Sequence, residues 1–328
     1  MKLIGMNTPF SFCPPLEMMN NMTLYPAHSD AQVANAAKAY QHSDHISILR
    51  SFLQHAMIKM VLLTAQTLRA VVTDINRNVS ATLKLCGPAI LTQDKFAESM
   101  ISTISAIISK SHPCQQDMGD EDDHEDLDDE ESSEYDWLVI DTALDVIIGM
   151  SKALGPQFNE MWKIFQKPVM KFASSQTSYE RSTAVGVIAE CTKNMGEGVT
   201  QFTETLLKLL LHRLSDEDPE TKSNAAYAIG LLIFHSTNSA VYLSSYNTIL
   251  SKLEPLLQTR RARTLDNACG CVSRMIMAHQ DKVPIDEILP IMVELLPLTE
   301  DYEENTPIFE CIAGLCKLLL TYLNTFIH

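Results

Sequence analysis

The chain has 328 residues, 46% of them hydrophobic, and a formal net charge of −16. An acidic surface repels nucleic-acid phosphate and anionic lipid, so we expect no binding to nucleic acid and no binding to a membrane. The same charge attracts basic partners. With 11 Gly and 14 Pro, the composition favours long helices over strands and tight turns.

The eight cysteines are scattered, and none forms a C-x-x-C pair. We therefore expect no structural zinc site and free thiols in a reducing compartment. No apolar window approaches the roughly 18 residues of a membrane span, and the first twenty residues lack a signal-peptide pattern. The composition is typical of a soluble intracellular protein, and we expect no cofactor.

The chain divides into four segments when it is followed from its first residue. Residues 1–30 show no hydrophobic periodicity and are expected to be an irregular leader. Apolar spacings of three and four residues predict HEAT-like helix pairs over 31–116, the last helix running from Lys95 to Lys110. The run from Asp117 to Asp136 is strongly acidic, so we expect a disordered insertion. Helix resumes at Trp137, and repeats fill 137–328.

Eight further helices are predicted in the last segment, and two kinds alternate. Strongly aliphatic helices are followed by helices with a polar start and small residues. The small-residue helices recur about every forty residues, with Arg181, Asn224 and Asn267 at equivalent places, which is the period of HEAT repeats. The eight helices are Phe158–Phe172, Tyr179–Met195, Val199–Leu214, Pro219–His235, Val241–Gln258, Thr264–His279, Ile285–Leu296 and Asn305–Phe326.

A two-helix unit cannot bury its own apolar face, so such units stack on one another. The sequence therefore predicts an all-α protein, an α-solenoid or superhelix of HEAT repeats built from antiparallel helix pairs. The alternative is an ordinary bundle of amphipathic helices, but a bundle has no reason to repeat the polar and small-residue segment.

Four segments carry a resemblance to a known family: YERSTAVGVIAE, SNAAYAIGLLIFH, DNACGCVSRMI and LPLTEDYEE. They resemble the last repeats of the importin-beta (karyopherin-beta) family, and within it the importin-4 type of nuclear import receptor. The resemblance covers residues 134 to the end and, more weakly, 45–110. Members of this type are far longer, so we expect a fragment or a truncated gene product.

The resemblance implies several partners and a location. The expected partners are basic protein cargo, such as histones and ribosomal proteins, and the Phe-Gly repeats of nucleoporins. Ran GTPase would bind only through an amino-terminal part that we expect to be absent here. The location implied is the cytoplasm and the nucleus, with shuttling through the nuclear pore. A HEAT scaffold or regulatory subunit that bridges proteins without transport is the alternative function.

The resemblance also implies that the inner helices carry the cargo site, because Asn and acidic residues there accept lysine ammonium groups in the family. A carboxylate and an amide oxygen can together satisfy the three donors of a lysine, and a tyrosine can cover its stem or face the cation. In the alternative reading, Asp266 and Asn267 cap their helix and Asn224 bonds a neighbouring loop. The predicted cargo-binding residues are Asn224, Tyr227, Asp266, Asn267, Glu180, Glu303, Glu304 and Asn305.

Two charged segments lie outside that row. The basic residues Arg260, Arg261 and Arg263 could neutralise carbonyls at a helix C-terminus. Alternatively, they could contact an acidic partner at the edge of the groove. The acidic insertion could attract basic cargo or shield an empty groove, or it could only improve solubility. Its charged residues are Asp120, Glu121, Asp122, Asp123, Glu125, Asp126, Asp128, Asp129, Glu130 and Glu131.

No catalytic or metal-binding pattern stands out. The sequence contains no G-x-S-x-G, HExxH or P-loop motif. His42 and His45 are three residues apart, but no ligand set completes them, and Cys269 and Cys271 point to different faces of their helix. We expect core thiols, no metal site and no enzyme.

Overall fold

The computed structural model describes residues 67–92, 96–115 and 129–327, and these ranges contain helices and no strand. They fall within one compact unit that runs from Leu62 to His328. We number the helices of the described ranges in chain order, α1 covering residues 67–86. The others are α2 Phe96–Ile108, α3 Asp129–Leu154, α4 Asn159–Phe172, α5 Ser178–Met195, α6 Thr203–Arg213, α7 Pro219–His235, α8 Ser239–Leu243, α9 Tyr246–Leu257, α10 Ala262–Ala278, α11 Ile285–Glu294 and α12 Asn305–Ile327.

The helices form two rows. An inner row consists of α1, α3, α5, α7, α10 and α12, each packed against the next. The helices α2, α4, α6 and α9 each pack against the inner helix that follows them in sequence. A continuous apolar core fills the space between the rows, and each fully buried large side chain in it contributes about 1.5–3 kcal/mol. The predicted all-α solenoid of HEAT repeats is confirmed.

Small residues allow the inner helices to approach closely. A Cβ atom added at Gly230 in α7 would lie 2.8 Å from the Cα of Cys271 in α10. An added Cβ at Gly186 in α5 would lie 3.4 Å from the amide nitrogen of Asn224 in α7. The small residue at Gly230 is therefore required by the stacking, because a larger side chain there would push α7 and α10 apart.

The repeats are aligned residue by residue along the inner row. Thr183, Asn224 and Asn267 are each the sixth residue of their helix. The predicted equivalence of Arg181 with the two asparagines is therefore wrong by two residues. Arg181 instead joins two loops. Its guanidinium donates to the carbonyls of Ser175 and Gln176 just before α5, and it binds Asp216, in the loop before α7, at 2.8 and 3.0 Å.

Three predicted boundaries also change. α3 begins at Asp129, so the expected disorder is wrong for residues 129–136, because acidic residues suit the positive end of the helix dipole. Val199–Leu214 divides into a 3-10 segment, Gly196–Phe202, and α6. Val241–Gln258 divides into α8 and α9 at two serines. The leader, the helices predicted before residue 67 and the acidic residues from 117 to 128 lie outside the described residues.

We expect that Gly230→Ala lowers the free energy of unfolding by about 1–3 kcal/mol, because the added methyl group meets the backbone of Cys271. Urea denaturation followed by circular dichroism measures this change. Gly314→Ala is the matched control, since a Cβ there meets nothing within 4 Å and alanine favours helix by about 0.5–1 kcal/mol. Equal destabilisation by both variants would contradict the close approach of α7 and α10.

Candidate functional site

An open groove of about 400 Å³ follows the inner row from α3 to the segment before α12. Five carboxylates line it: Asp141, Asp145, Glu190, Asp301 and Glu303. Polar and uncharged residues between them include Thr183, Asn224, Tyr227 and Asn267, and one cation, Arg263, lies at the side. The groove is therefore acidic and spans four inner helices.

The carboxylates of the groove are incompletely neutralised. Burial, together with the charge of Asp145, raises the pKa of Asp141, and Arg77 only partly opposes this. Burial also raises the pKa of Asp301, against the opposing charge of Arg263. A raised pKa means that the ionised form is held at a cost in free energy, which a bound cation would relieve. The groove therefore favours a positively charged ligand.

Tyr227 lies in the middle of the groove. Its hydroxyl donates to Glu190 at 3.4 Å, and the guanidinium carbon of Arg274 lies 5.5 Å from the centre of its ring. Burial and the nearby Glu190 raise the pKa of Tyr227 to about 12, so the phenol stays protonated and can donate. The predicted cation contact of this ring is made by an arginine of the chain itself.

Two of the predicted cargo carboxylates are buried and bound within the chain. Glu304 is 1% exposed and forms two bonds with Arg274, at 2.5 and 2.7 Å. Asp266 is 2% exposed and accepts from the backbone N–H groups of Glu300 and Asp301 at 2.9 and 2.8 Å. Both therefore hold the segment before α12 against α10.

The predicted asparagines tie neighbouring helices together. The Asn224 amide donates to the carbonyl of Ser182 at 2.9 Å, and the Asn267 amide donates to the hydroxyl of Ser223 at 3.0 Å. Neither residue caps its helix, since each lies in the second turn. Both still line the groove, so their side chains serve the stack and form part of its surface.

The other predicted cargo residues lie in different surroundings. Glu303 is exposed and lines the groove. The Asn305 side chain accepts from the backbone N–H of Leu298 at 3.2 Å and thus belongs to the turn before α12. Glu180 lies in the first turn of α5, outside the residues that line the groove. Of the eight predicted residues, the groove brings together Asn224, Tyr227, Asn267 and Glu303.

Sequence reasoning missed the carboxylates of α3. The segment DTALD, residues 141–145, aligns with STAVG, SNAAY and DNACG of the three later inner helices. In this alignment Asp145, Gly186 and Tyr227 occupy one position, and all three line the groove. Extending the repeat back by one more unit, to the helix that follows the acidic insertion, would have identified both Asp141 and Asp145.

Arg263 does not lie at a helix C-terminus, contrary to the prediction. It is the second residue of α10, and its guanidinium bonds Glu220 in the first turn of α7 at 2.6 Å. The prediction that Arg263 neutralises carbonyls at a helix C-terminus is therefore wrong. Arg263 and Glu220 link the starts of two inner helices at the side of the groove.

The cysteines of the small-residue helices are core residues. Cys269 and Cys271 are 1% and 0% exposed, and burial raises the pKa of each thiol to about 12. Such thiols stay protonated and are poor nucleophiles. Within the described ranges, no group of three or more His, Cys, Asp and Glu side chains is placed to hold a metal ion, and no helix there is long and apolar enough to cross a membrane.

The fold and the groove define a helical-repeat protein with an acidic inner surface. Residues 28–229 match a family described as importin subunit beta-1-like, TPR repeats. The chain therefore belongs to the importin-beta family, which confirms the resemblance seen in its sequence. Aligned positions of the inner helices recur every 41–43 residues, a period closer to HEAT repeats than to the 34 residues of TPR repeats.

Individual relatives match over most of the chain. It is 37% identical over 224 residues to the probable importin subunit beta-4 of Schizosaccharomyces pombe, which covers 66% of this chain and 21% of that protein. It is 29% identical over 239 residues to importin-4 of Homo sapiens, with 72% and 22% covered, and 30% identical over 246 residues to importin-4 of Mus musculus, with 72% and 21% covered. The chain thus spans about a fifth of these relatives' length.

We expect that Glu304→Gln lowers the free energy of unfolding by about 3–5 kcal/mol, because it leaves the buried Arg274 guanidinium without its counter-charge. The adjacent Glu303→Gln is the control. Its partner Lys193 is 40% exposed, so the loss should be at most about 1 kcal/mol. Chemical denaturation of both variants measures the difference, and similar losses would contradict the structural role assigned to Glu304.

Proposed function

We propose that this chain is the cargo-binding portion of a nuclear import receptor and that its acidic groove binds lysine-rich segments of basic cargo proteins. The observation that carries the proposal is the line of five carboxylates along the inner row, of which Asp141 and Asp301 have raised pKa values. Membership of the importin-beta family supports transport as the purpose of this binding.

Binding in this groove needs no chemical step. Lysine side chains of an extended segment would place their ammonium groups between carboxylates of successive repeats, with amide and hydroxyl oxygens completing their hydrogen bonds. Asp141, Asp145 and Glu190 serve one end of the groove, and Asp301 and Glu303 serve the other. The excess negative charge also speeds encounter with a basic partner.

The further partners and the location belong to the same proposal. Proteins named importins stand among the relatives of this chain, so we infer shuttling between cytoplasm and nucleus and contact with nucleoporin Phe-Gly repeats. Histones and ribosomal proteins are the proposed cargo, and the role is binding rather than catalysis. The acidic residues 117–128 would be an accessory that attracts the same cargo. A scaffold without transport is the alternative.

The first test removes charge from the newly identified end of the groove. We expect Asp141→Asn with Asp145→Asn to weaken binding of a lysine-rich histone-tail peptide about tenfold, because two carboxylates of the groove are lost. The one cation paired with them among the described residues is the part-exposed Lys84, 3.8 Å from Asp145. Fluorescence anisotropy at two salt concentrations measures the affinity. Asp286→Asn with Glu287→Gln, two exposed residues of α11 outside this groove, makes the same change in net charge.

Two outcomes would contradict the proposal. Equal affinity losses in the two double variants would show that only the net charge matters. Unchanged binding of the peptide after acetylation of its lysines would show that the groove does not select ammonium groups, and would favour the scaffold. Thermal melting of each variant checks that the fold is kept.

The second test uses pH. Binding requires ionised carboxylates, and the raised pKa values of Asp141 and Asp301 mean that protonation begins at a higher pH than for an ordinary aspartate. We therefore expect affinity for a histidine-free lysine peptide to fall as the pH is lowered from neutral, and to begin falling at a higher pH than ordinary aspartates would cause. Asp141→Asn should flatten this dependence. A wild-type affinity that is constant over the range would contradict the assignment.

A further inference from the structure

One ion pair joins parts of the inner row that are not neighbours. The ammonium of Lys193, in the last turn of α5, lies 2.8 Å from the carboxylate of Glu303, in the 3-10 segment Tyr302–Glu304 before α12. The two residues are 110 positions apart, and α7 and α10 lie between their helices in the row. The contact therefore crosses the inner face of the stack instead of following it.

The surroundings of Lys193 are those of a bound lysine ligand. Glu303 accepts its hydrogen bond, and Glu190 of α5 and Tyr227 of α7 lie close enough to act on its charge. All three are groove residues. Although partial burial opposes it, the hydrogen bond to Glu303, the Tyr227 hydroxyl and the charge of Glu190 together raise the pKa of Lys193. Lys152 of α3 is the other cation that acts on Glu303.

We propose that Lys193 and Glu303 form a strap that holds the inner face closed, and that a cargo lysine opens it by taking the place of Lys193 at Glu303. The second half of this inference rests on the proposed function, whereas the first half concerns the chain alone. The strap makes Lys193 an internal competitor for the groove and couples occupancy of the groove to the curvature of the stack.

The energetics of the contact suit a reversible strap. Lys193 and Glu303 are 40% and 77% exposed, and an ion pair of this exposure contributes little net stability and weakens with salt. The neighbouring pair of Arg274 and Glu304 is almost fully buried and held by two short bonds. One pair thus fastens the segment before α12 permanently to α10, and the adjacent pair is free to exchange partners.

The shape of the stack tests the first half without any ligand. Spin labels carried by unnatural amino acids at Glu197, just after α5, and at Glu310, in α12, report the distance across the inner face. Both positions are exposed. We expect Lys193→Met to lengthen and broaden the distance distribution, and high salt to do the same in the wild type. A distribution that is unchanged in Lys193→Met would overturn the strap.

Affinity tests the second half. We expect Lys193→Met to bind an unacetylated histone-tail peptide about two- to fivefold more tightly than the wild type. Lys152→Met is the matched control, because it removes a charge that acts on Glu303 without breaking the bond to Lys193. A gain no larger than that of Lys152→Met would overturn the competition. If no variant binds the peptide, the proposed function and the competition fail, and the distance measurement still decides the strap.

Discussion

The close approach of the inner helices is the constraint on which the rest of the structure depends. At Gly230 there is no room for a larger side chain without moving the backbone of Cys271, and a Cβ at Gly186 would already be in van der Waals contact with Asn224. Because protein interiors are packed to crystal-like density, such contacts fix the position of each helix along the axis of its neighbour. Equivalent residues of successive repeats therefore lie side by side. A groove that runs across four repeats requires this alignment, since side chains displaced along the helix axes would not form a common surface.

Equivalent positions in the aligned helices do different work. Asp141 and Asp266 occupy the same place in the aligned segments DTALD and DNACG. The carboxylate of Asp266 accepts hydrogen bonds from the backbone N–H groups of Glu300 and Asp301. Asp141, in contrast, lines the groove and has a raised pKa. The difference arises from the segment after α11, which folds onto α10 and covers one carboxylate. Whether an aspartate of the repeat supports the fold or faces a ligand is therefore decided by its neighbours.

This dependence explains what the sequence could and could not predict. The period, the small residues and the helix Pro219–His235 were readable because they follow from local hydrophobic spacing and stacking. Extending the same alignment to DTALD would also have identified Asp141 and Asp145. The burial of Glu304 could not be predicted, because it depends on a turn that lies outside the repeat pattern and on Arg274, thirty residues earlier. The contact between Lys193 and Glu303 depends on the curvature accumulated over several repeats, which no local pattern encodes.

Charge and curvature are linked in a stack of this kind. Each repeat contacts chiefly its neighbours, so small rotations between repeats add up and the ends can move with little loss of packing. Five carboxylates on the inner face repel one another and favour an open arrangement. Basic residues that oppose this repulsion bind partners on other elements: Lys84 of α1 binds Asp145 of α3, Lys193 of α5 binds Glu303 before α12, and Arg263 of α10 binds Glu220 of α7. A cationic ligand that reduces the repulsion therefore changes the electrostatic free energy and also the preferred rotations between repeats. Recognition of charge by this groove is for that reason coupled to the shape of the solenoid.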